Sequence, residues 1–203
     1  LVLLVLPAWA PERLSAGLFR NREPIPGAAY GPDAFFADAH DVDLLFYRDD
    51  PVASIAVKEF PIWGGQKTRS IISNGKPDGS LILDYPTTAL LGLVPALLAD
   101  KAERAFVIGY GAGVTVGELA ALQSMREVVV AEISPAVMQA APLFEDGNLR
   151  ASTNPKTRVL VSDAYRALLR SEGPFDVIVS EPSNPWVTGV EMLFSREFLS
   201  AAR

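Results

Sequence analysis

The second half of the chain alternates short apolar runs with segments of helical pattern, and this alternation restricts the fold more than any other feature. The apolar runs are AFVIGY, EVVVAEI, RVLVSDA and FDVIVSE. The segments between them predict helices that begin at about Val114, Pro135 and Ala164. Because strands that alternate with helices form parallel sheets covered on both faces, we expect an α/β fold with a Rossmann-like, doubly wound sheet.

The region before this alternation has a different pattern, which divides the chain into three parts. Residues 1–42 are rich in proline, glycine and alanine and are interpreted as a connector. Residues 43–83 contain short apolar runs separated by Asp-Asp, Gly-Gly and Asn-Gly, which predicts a small β-strand module. Residues 84–203 form the Rossmann-like domain, which opens with the helical stretch PTTALLGLVPALLADKAE.

Composition excludes several functions. A net charge of -6 is the wrong sign for gripping phosphate backbones, so we expect no nucleic-acid partner. The chain has no cysteine and one histidine, His40, so neither thiolate nor histidine-cluster metal chemistry is expected. The initial run LVLLVL is too short to span a bilayer, and two interpretations stay open. It is either a buried strand or helix end, or the remainder of a membrane helix.

Three glycines follow the first strand of the predicted parallel sheet. Gly109, Gly111 and Gly113 lie in IGYGAGVTVGELA, at a turn that opens a helix. In open parallel sheets ligands bind beyond the carboxyl ends of the strands, and glycine allows the backbone to approach them closely. The turn therefore predicts a ligand site, although a lone Gly-x-Gly-x-Gly is also compatible with a simple tight turn.

Acidic residues end the next two strands. Glu132 stands nineteen positions after Gly113, where a carboxylate can accept both hydroxyls of a ribose, although alone it could be a surface acid. Asp163 and Ala164 end the third strand, where a carboxylate and a backbone amide can hold an adenine edge. The conjunction favours a nucleoside. The dinucleotide fingerprint would need its third glycine at Val114, so the turn is more similar to that of proteins that bind S-adenosylmethionine or its relatives.

The run from Leu44 to Arg203 resembles the spermidine synthase family of polyamine aminopropyltransferases. It is most similar to the spermidine synthase-like domains fused to membrane helices in bacterial proteins. The pieces that carry the resemblance are SNGKPDGS, DYPTTALLGLVP, VIGYGAGVT, VVVAEISPAVMQAA, VLVSDAYRALL and DVIVSEPSNPWVTGVEMLFSREF. The resemblance implies a sheet of the S-adenosylmethionine-methyltransferase type.

The resemblance also implies an activity, in which an aminopropyl group moves from decarboxylated S-adenosylmethionine to a polyamine amine. Such amines titrate near a pKa of about 10.4, so they arrive protonated and need a base. The family position of that base is Glu181, and Asn184 would orient the amine. The nucleoside would lie on the glycine turn, Glu132, Asp163 and Ala164. Polyamine contacts are expected at Asp78, Asp84, Tyr85 and Trp186.

Each of these residues also has a purely structural interpretation. Glu181 could be a loop or capping acid, and Asp78 and Asp84 could be turn formers. Tyr85 and Trp186 could be aromatic residues of the rim or the core.

Departures from the family pattern keep two alternatives open. Family members usually have Asp-x-x-Asp-Pro where this chain has Glu181 to Pro185, and an acid where it has Ala112. The His and Gln of membrane-fused relatives fall on Leu93 and Thr88. The first alternative is a methyltransferase that uses S-adenosylmethionine. The second is a non-catalytic domain of a membrane protein that binds a nucleoside or a polyamine.

The resemblance further implies the context of the domain. This fold normally continues with a fifth strand and a hairpin, so we expect the sheet to be incomplete at its C-terminal side. We also expect a larger bacterial protein that is associated with the membrane, with this domain in the cytoplasm. A homodimer formed through the β-strand module is the expected assembly.

Overall fold

Two four-stranded sheets organise the chain, one antiparallel and one parallel. The computed structural model describes residues 10–17, 26–37, 42–180 and 189–203. The initial apolar run and His40 lie outside the described residues. Within the described ranges, no helix combines the length and apolar character that crossing a bilayer requires.

The antiparallel sheet is formed by the segment that the sequence predicts to be a β-strand module. Its strands pair in chain order, and the hairpin between the last two turns at Asn74 and Gly75. Both residues have positive φ angles, 49° and 77°, as a tight hairpin turn of the Asn-Gly type requires. The elements are α1 (Pro11–Leu14), a 3-10 helix (Pro26–Tyr30), α2 (Pro32–Ala37), β1 (Asp43–Asp49), β2 (Ser54–Pro61), β3 (Lys67–Ser73) and β4 (Lys76–Ser80).

The parallel sheet confirms the predicted α/β fold. Its strand order is β7-β6-β5-β8, and all three pairings are parallel. Helices begin at Val114, Pro135 and Ala164, as the sequence predicts. The elements are α3 (Tyr85–Leu98), β5 (Arg104–Ile108), α4 (Val114–Ala121), β6 (Glu127–Glu132), α5 (Pro135–Ala140), β7 (Thr157–Val161), α6 (Ala164–Arg170), β8 (Val177–Ser180) and α7 (Arg196–Ala201). Short 3-10 helices occupy Trp63–Gly65, Ala141–Phe144 and Val190–Phe194.

The strand order reverses between β5 and β8. The chain runs outward from β5 through β6 to β7, and then returns to place β8 on the other side of β5. At such a reversal the connections leave toward opposite faces, which opens a crevice at the carboxyl ends of the strands. The strands β5 and β8 therefore both end at this crevice.

The two central strands of the parallel sheet, β5 and β6, are buried on both faces. Phe106, Val129 and Ala131 pack with α6 and with Phe198 of α7 on one face. Side chains alternate along a strand, so the neighbouring residues Val107, Val128 and Val130 face the opposite side. There they join Ile55, Val57 and Ile71 of the antiparallel sheet in one core. The two sheets thus share an apolar core, which packs the antiparallel sheet on the face of the parallel sheet that α5 also covers.

Polar contacts reinforce this junction. Arg48 of β1 donates from Nη1 to Oε1 of Gln139 in α5, at 2.5 Å. Arg69 of β3 donates to the carbonyl of Leu143 and to the carboxylate of Asp146. Gln139 lies in α5, and Leu143 and Asp146 lie shortly after it. The antiparallel sheet therefore contacts the part of the chain that follows β6.

The close approach of Gly117 to a neighbouring loop gives a stability prediction. A Cβ built at this position of α4 would lie 1.9 Å from the backbone carbonyl oxygen of Asn148. Although alanine favours helices by about 1 kcal/mol over glycine, a backbone clash outweighs this gain, and Gly117→Ala should lower the unfolding free energy by about 2 kcal/mol or more. Chemical denaturation with Gly79→Ala as control checks this, since a Cβ at Gly79 meets nothing within 4 Å. Equal stabilities of the two variants would contradict the packing.

Candidate active site

The glycine turn has open space on one side and tight packing on the other. Gly109, Gly111 and Gly113 have φ angles of 84°, 55° and 79°, a region that side chains disfavour. A Cβ at Gly109 or at Gly111 would meet nothing within 4 Å, whereas one at Gly113 would lie 2.6 Å from the Asn148 amide. The turn is closed by the Gly113 N–H, which donates to the Tyr110 carbonyl at 2.8 Å. The first two glycines therefore leave room for a ligand against the backbone.

Glu132 connects the end of β6 to the glycine turn. Its Oε2 accepts from the backbone N–H of Tyr110 at 2.8 Å, and its Oε1 accepts from that of Ser134 at 2.8 Å. The residue is only 6% exposed. A carboxylate has about four acceptor positions, so at least one remains beyond the backbone N–H groups of Tyr110, Ser134 and Ile133. A remaining position can accept from a ribose, which presents two hydroxyl donors.

Burial raises the pKa of Glu132 above its usual value of 4.5. Desolvation is the largest cause, and the negative charge of Asp50 adds to it. The backbone N–H groups of Ser134, Tyr110 and Ile133 work in the opposite direction, because they stabilise the charged carboxylate. Bound hydroxyls would act as further donors of this kind and would favour the ionised form.

Asp163 and Ala164 lie at the next strand end. Asp163 is the N-cap of α6, and its Oδ1 accepts from the Arg166 N–H at 2.9 Å. Ala164 is buried beneath it. Capping is a sufficient structural reason for an aspartate here. The carboxylate nevertheless has more acceptor positions than the cap uses, so the structure is compatible with the predicted adenine contact.

Asp50 reaches this site from the antiparallel sheet. Its Oδ2 accepts from the hydroxyl of Ser134 and, at 3.1 Å, from the backbone N–H of Ala136 in the first turn of α5. Its Oδ1 accepts from the N–H groups of Val52 and Ala53 in its own loop. Although burial opposes ionisation, these hydrogen bonds lower the pKa of Asp50. Asp50 thereby fixes Ser134, whose N–H holds Glu132.

Two predicted polyamine contacts share one small cavity. A cavity of about 270 Å³ has both Asp78 and Asp84 in its wall. Asp84 accepts from the Ser80 hydroxyl at 2.8 Å, and Asp78 pairs with Lys76 at 3.2 Å. The remaining lining residues are Lys76, Pro77, Gly79, Thr87 and Thr88. The two predicted carboxylates therefore line one cavity, and Lys76 neutralises part of the charge of Asp78 there.

The cavity that contains Asp78 and Asp84, called the acidic cavity below, shares lining residues with contacts to α4 and to the end of β8. The backbone carbonyl of Thr88 accepts from the Thr115 hydroxyl at 2.7 Å, in the first turn of the helix that the glycine turn opens. Thr87 also lines a second, mostly apolar cavity of about 640 Å³ between α3 and β8, which extends to Ser180. Ser180 immediately precedes Glu181 in sequence.

Tyr85 occupies a different position from the two aspartates. Its hydroxyl donates to the carboxylate of Glu118 in α4. This hydrogen bond, together with burial, raises the pKa of Tyr85 to about 12, so the phenol stays protonated. Tyr85 joins α3 to α4, and it is absent from the residues that line the acidic cavity.

Three further predicted site residues belong to the segment that follows β8 in sequence. Glu181, Asn184 and Trp186 all lie outside the described residues. As for metals, the part of the chain that the structure describes contains no group of three histidine, aspartate or glutamate side chains suited to hold an ion.

Sequence reasoning missed two residues that support the site. Asp50 contacts Ser134, the N-cap of α5, across 84 positions of sequence, and Asn148 contacts Ala112 across 36. Neither belongs to a motif, and each stands in a polar loop where aspartate and asparagine are common turn residues. Only the three-dimensional structure identifies them.

Comparison with known proteins identifies the family of the chain. The family model described as "Spermine/spermidine synthase domain" matches residues 86–203. The chain belongs to the spermine/spermidine synthase family. The matched span contains the glycine turn, both strand-end acids and the segment that carries Glu181. It begins after the antiparallel sheet.

Curated relatives of this family are enzymes by name. The chain is 31% identical over 115 residues to polyamine aminopropyltransferase 1 of Pseudomonas aeruginosa. This match covers 56% of this chain and 40% of the relative. It is 26% identical over 133 residues to the polyamine aminopropyltransferase of Sulfurisphaera tokodaii, which covers 64% of this chain and 44% of the relative. The chain thus spans less than half the length of these relatives.

Solved structures show the same fold. A spermidine synthase in complex with the transition-state analogue AdoDATO superposes with a TM-score of 0.70 at 20% identity, covering 78% of this chain and 53% of that chain. The spermidine synthase of Thermotoga maritima gives a TM-score of 0.67 at 20% identity, covering 78% of this chain and 52% of that chain. The likeness confirms the Rossmann-like, methyltransferase-type sheet and extends to more of the chain than the family model matches.

Proposed function

We infer that this protein is an aminopropyltransferase, which moves the aminopropyl group of decarboxylated S-adenosylmethionine to an amine of a polyamine. One observation carries this proposal: a single edge of the parallel sheet gathers the glycine turn, Glu132 and Asp163, in a chain whose residues 86–203 match the synthase family. The nucleoside part of the donor would lie on that edge, with Gly109, Gly111 and Gly113 at its backbone contacts, Glu132 at the ribose and Asp163 with Ala164 at the adenine.

The chemistry follows from the charges of the two substrates. The sulfonium makes its neighbouring carbon electrophilic, and the amine nitrogen attacks that carbon as the carbon–sulfur bond breaks. The bonding electrons go to sulfur, and neutral methylthioadenosine leaves. The attacking amine must lose a proton, and Glu181 is the proposed acceptor, with Asn184 orienting the amine. Proton loss to a carboxylate keeps the charges balanced without a further reactant.

The acidic cavity supports a polyamine as the second substrate. Polyamines carry several ammonium groups, and Asp78 and Asp84 provide two carboxylates in one cavity beside the helix that follows the glycine turn. Charge-assisted hydrogen bonds of this type are about twice as strong as neutral ones. We propose Trp186 as a further contact on the rim, and Tyr85 as a residue that acts through the packing of α3 against α4.

One observation favours a second candidate, a methyltransferase that uses S-adenosylmethionine. Ala112, at the family position of the acid that would contact the aminopropyl ammonium, is a buried apolar residue, 8% exposed. An acid there would repel the carboxylate of ordinary S-adenosylmethionine, so its replacement removes the obvious discrimination against that cofactor.

Product analysis by mass spectrometry separates these functions. The protein is incubated with putrescine or spermidine, with decarboxylated S-adenosylmethionine in one sample and S-adenosylmethionine in the other. We expect the mass of an aminopropyl group on the polyamine in the first sample. A methyl group in the second sample would instead support the methyltransferase. Methylthioadenosine binding without product in either sample would support a non-catalytic nucleoside- or polyamine-binding domain.

The resemblance also supports a proposal about the context of the domain. We propose a bacterial membrane-associated protein whose residues 1–42 connect this domain to the membrane, with the domain itself in the cytoplasm. The antiparallel module of residues 43–83 is the proposed contact of a homodimer, and residues 84–203 are the proposed nucleoside-binding domain. The resemblance to membrane-fused proteins supports this arrangement.

A further inference from the structure

Asn148 is buried directly behind the glycine turn. Its residue exposure is 0%, although it belongs to a polar loop. The side-chain Nδ2 donates to the backbone carbonyl of Ala112 at 2.9 Å and lies 3.4 Å from the hydroxyl oxygen of Tyr110. Ala112 stands between the second and third glycines of the turn. The amide therefore contacts the turn at Ala112 and Gly113, whereas a Cβ at Gly109 or Gly111 would meet open space.

Both ends of the Asn148 amide are used. While Nδ2 donates to the turn, Oδ1 accepts from the backbone N–H of Ala151 at 3.1 Å. A buried side chain that must donate on one side and accept on the other needs an amide, and in this space asparagine has the required length. Aspartate would keep the acceptor but would direct an oxygen at the Ala112 carbonyl.

The backbone beside Asn148 is strained in a way that keeps its side chain in place. Leu149 and Arg150 have φ angles of 59° and 57°, in the left-handed region that residues other than glycine disfavour. Such conformations persist where the surrounding structure determines them, and they concentrate at functional sites. Here the two strained residues connect Asn148 to Ala151, so they close the small turn from which the amide projects.

Glycines in the turn and its helix make room for this loop. A Cβ at Gly113 would lie 2.6 Å from the Asn148 amide, and a Cβ at Gly117 would lie 1.9 Å from its backbone carbonyl oxygen. The sequence thus has glycine at both places where the loop approaches. The third glycine of the turn serves this packing, whereas the first two face open space.

We propose that Asn148 is a positioning residue for the nucleoside, because its side-chain amide holds the glycine turn in the shape that leaves its front open to the ligand. This inference rests on the proposed function of the site. In this role Asn148 acts indirectly, through its hydrogen bond to the carbonyl of Ala112, and makes no direct contact with the ligand. Removing the Nδ2 donor should let the turn relax. Nucleoside affinity should then fall further than it does in a variant that is destabilised to a similar degree elsewhere in the fold.

The test compares Asn148→Asp and Asn148→Ala with a control variant of similar instability. Met125→Ala is suitable, because Met125 is a fully buried core residue next to the amino end of β6, at the edge of the sheet away from the turn. Methylthioadenosine binding is measured by calorimetry well below the lowest melting midpoint. We expect both Asn148 variants to bind at least about tenfold more weakly, and Met125→Ala to bind within about twofold of the unsubstituted protein.

Amide hydrogen exchange in the ligand-free protein provides the second measurement. We expect the N–H groups of Gly113 and Gly117, which donate to the carbonyls of Tyr110 and Gly113, to exchange faster in Asn148→Asp than in Met125→Ala. Unchanged affinity of the folded Asn148 variants would overturn the positioning role. If the unsubstituted protein binds no methylthioadenosine, the proposed function fails. The turn-holding role of Asn148 is then decided by exchange alone, and equal rates in the two variants would overturn it.

Discussion

Glu132→Gln is expected to weaken methylthioadenosine binding by about a hundredfold or more. The reason is that the two ribose hydroxyls would lose a charged acceptor, and hydrogen bonds to charged groups contribute about 1.5–3 kcal/mol each. Glutamine also turns an NH₂ group toward one of the two backbone N–H donors, those of Tyr110 and Ser134, which the carboxylate now accepts. Calorimetric titration of the protein with methylthioadenosine measures the effect.

The pH dependence of binding tests the same residue without relying on the size of the effect. Because the pKa of Glu132 is raised above 4.5, its protonation should begin at a higher pH than that of an ordinary glutamate. Hydroxyl donors prefer the ionised form, so affinity should be constant at higher pH and should fall as the pH drops through this pKa. In Glu132→Gln, this part of the pH dependence should be missing.

A suitable control is Glu172→Gln, which removes one exposed carboxylate from the loop before β8. That loop lies at the amino end of the strand, whereas the site lies at the carboxyl ends. The control should keep both the affinity and its acid dependence, as long as circular dichroism shows a folded protein at each pH. If Glu132→Gln binds methylthioadenosine as tightly as this control, the proposed contact between Glu132 and the ribose is wrong.

The sequence was sufficient to predict the parallel sheet because its strands are short, continuous apolar runs between strong turn residues. The runs that contain Val107, Val129 and Val179 have to be buried, and alternation with helices allows few other topologies. The positive φ angles of Gly109, Gly111 and Gly113 likewise follow from residues that the turn itself contains. Local chemistry decided these features, so local sequence was able to reveal them.

The supporting residues could not be predicted because their roles depend on distant partners. Asp50 looks like a turn residue in RDDPV, yet its carboxylate binds Ser134 and the first turn of α5. Tyr85 was predicted beside the polyamine on resemblance alone, and the structure shows its hydroxyl bonded to Glu118. Neither partner is indicated by periodicity or spacing, since both contacts arise only once two elements pack together.

Asp50 illustrates how the antiparallel sheet contributes to the site. Its carboxylate links the β1–β2 loop to Ser134, and Ser134 donates to Glu132. The family match begins after this sheet, so the sheet could be regarded as an independent appendage. The hydrogen bonds argue otherwise, because they fix Ser134, whose N–H holds the carboxylate of Glu132. The shared apolar core of Ile55, Val57 and Val130 makes the same connection on a larger scale.

Glu181→Gln should abolish most aminopropyl transfer while leaving nucleoside affinity unchanged. Glutamine is similar in size to glutamate but cannot accept the proton of the attacking amine, and general bases contribute about 10²–10⁴-fold to rate. The expected loss in kcat lies in that range, with a dissociation constant for methylthioadenosine within about threefold of the original. Single-turnover product formation, measured beside calorimetric binding, gives both values for the same preparation.

Glu181→Asp is the matched comparison, since it restores the acid that family members usually have at this position. A carboxylate one methylene shorter can still accept a proton, so this variant should retain transfer at a rate well above that of Glu181→Gln. If both variants lose activity equally, then transfer needs the length of the glutamate side chain as well as its charge. If Glu181→Gln retains full activity, the base is another residue, and the carboxylates of the acidic cavity, Asp78 and Asp84, become the groups to substitute next.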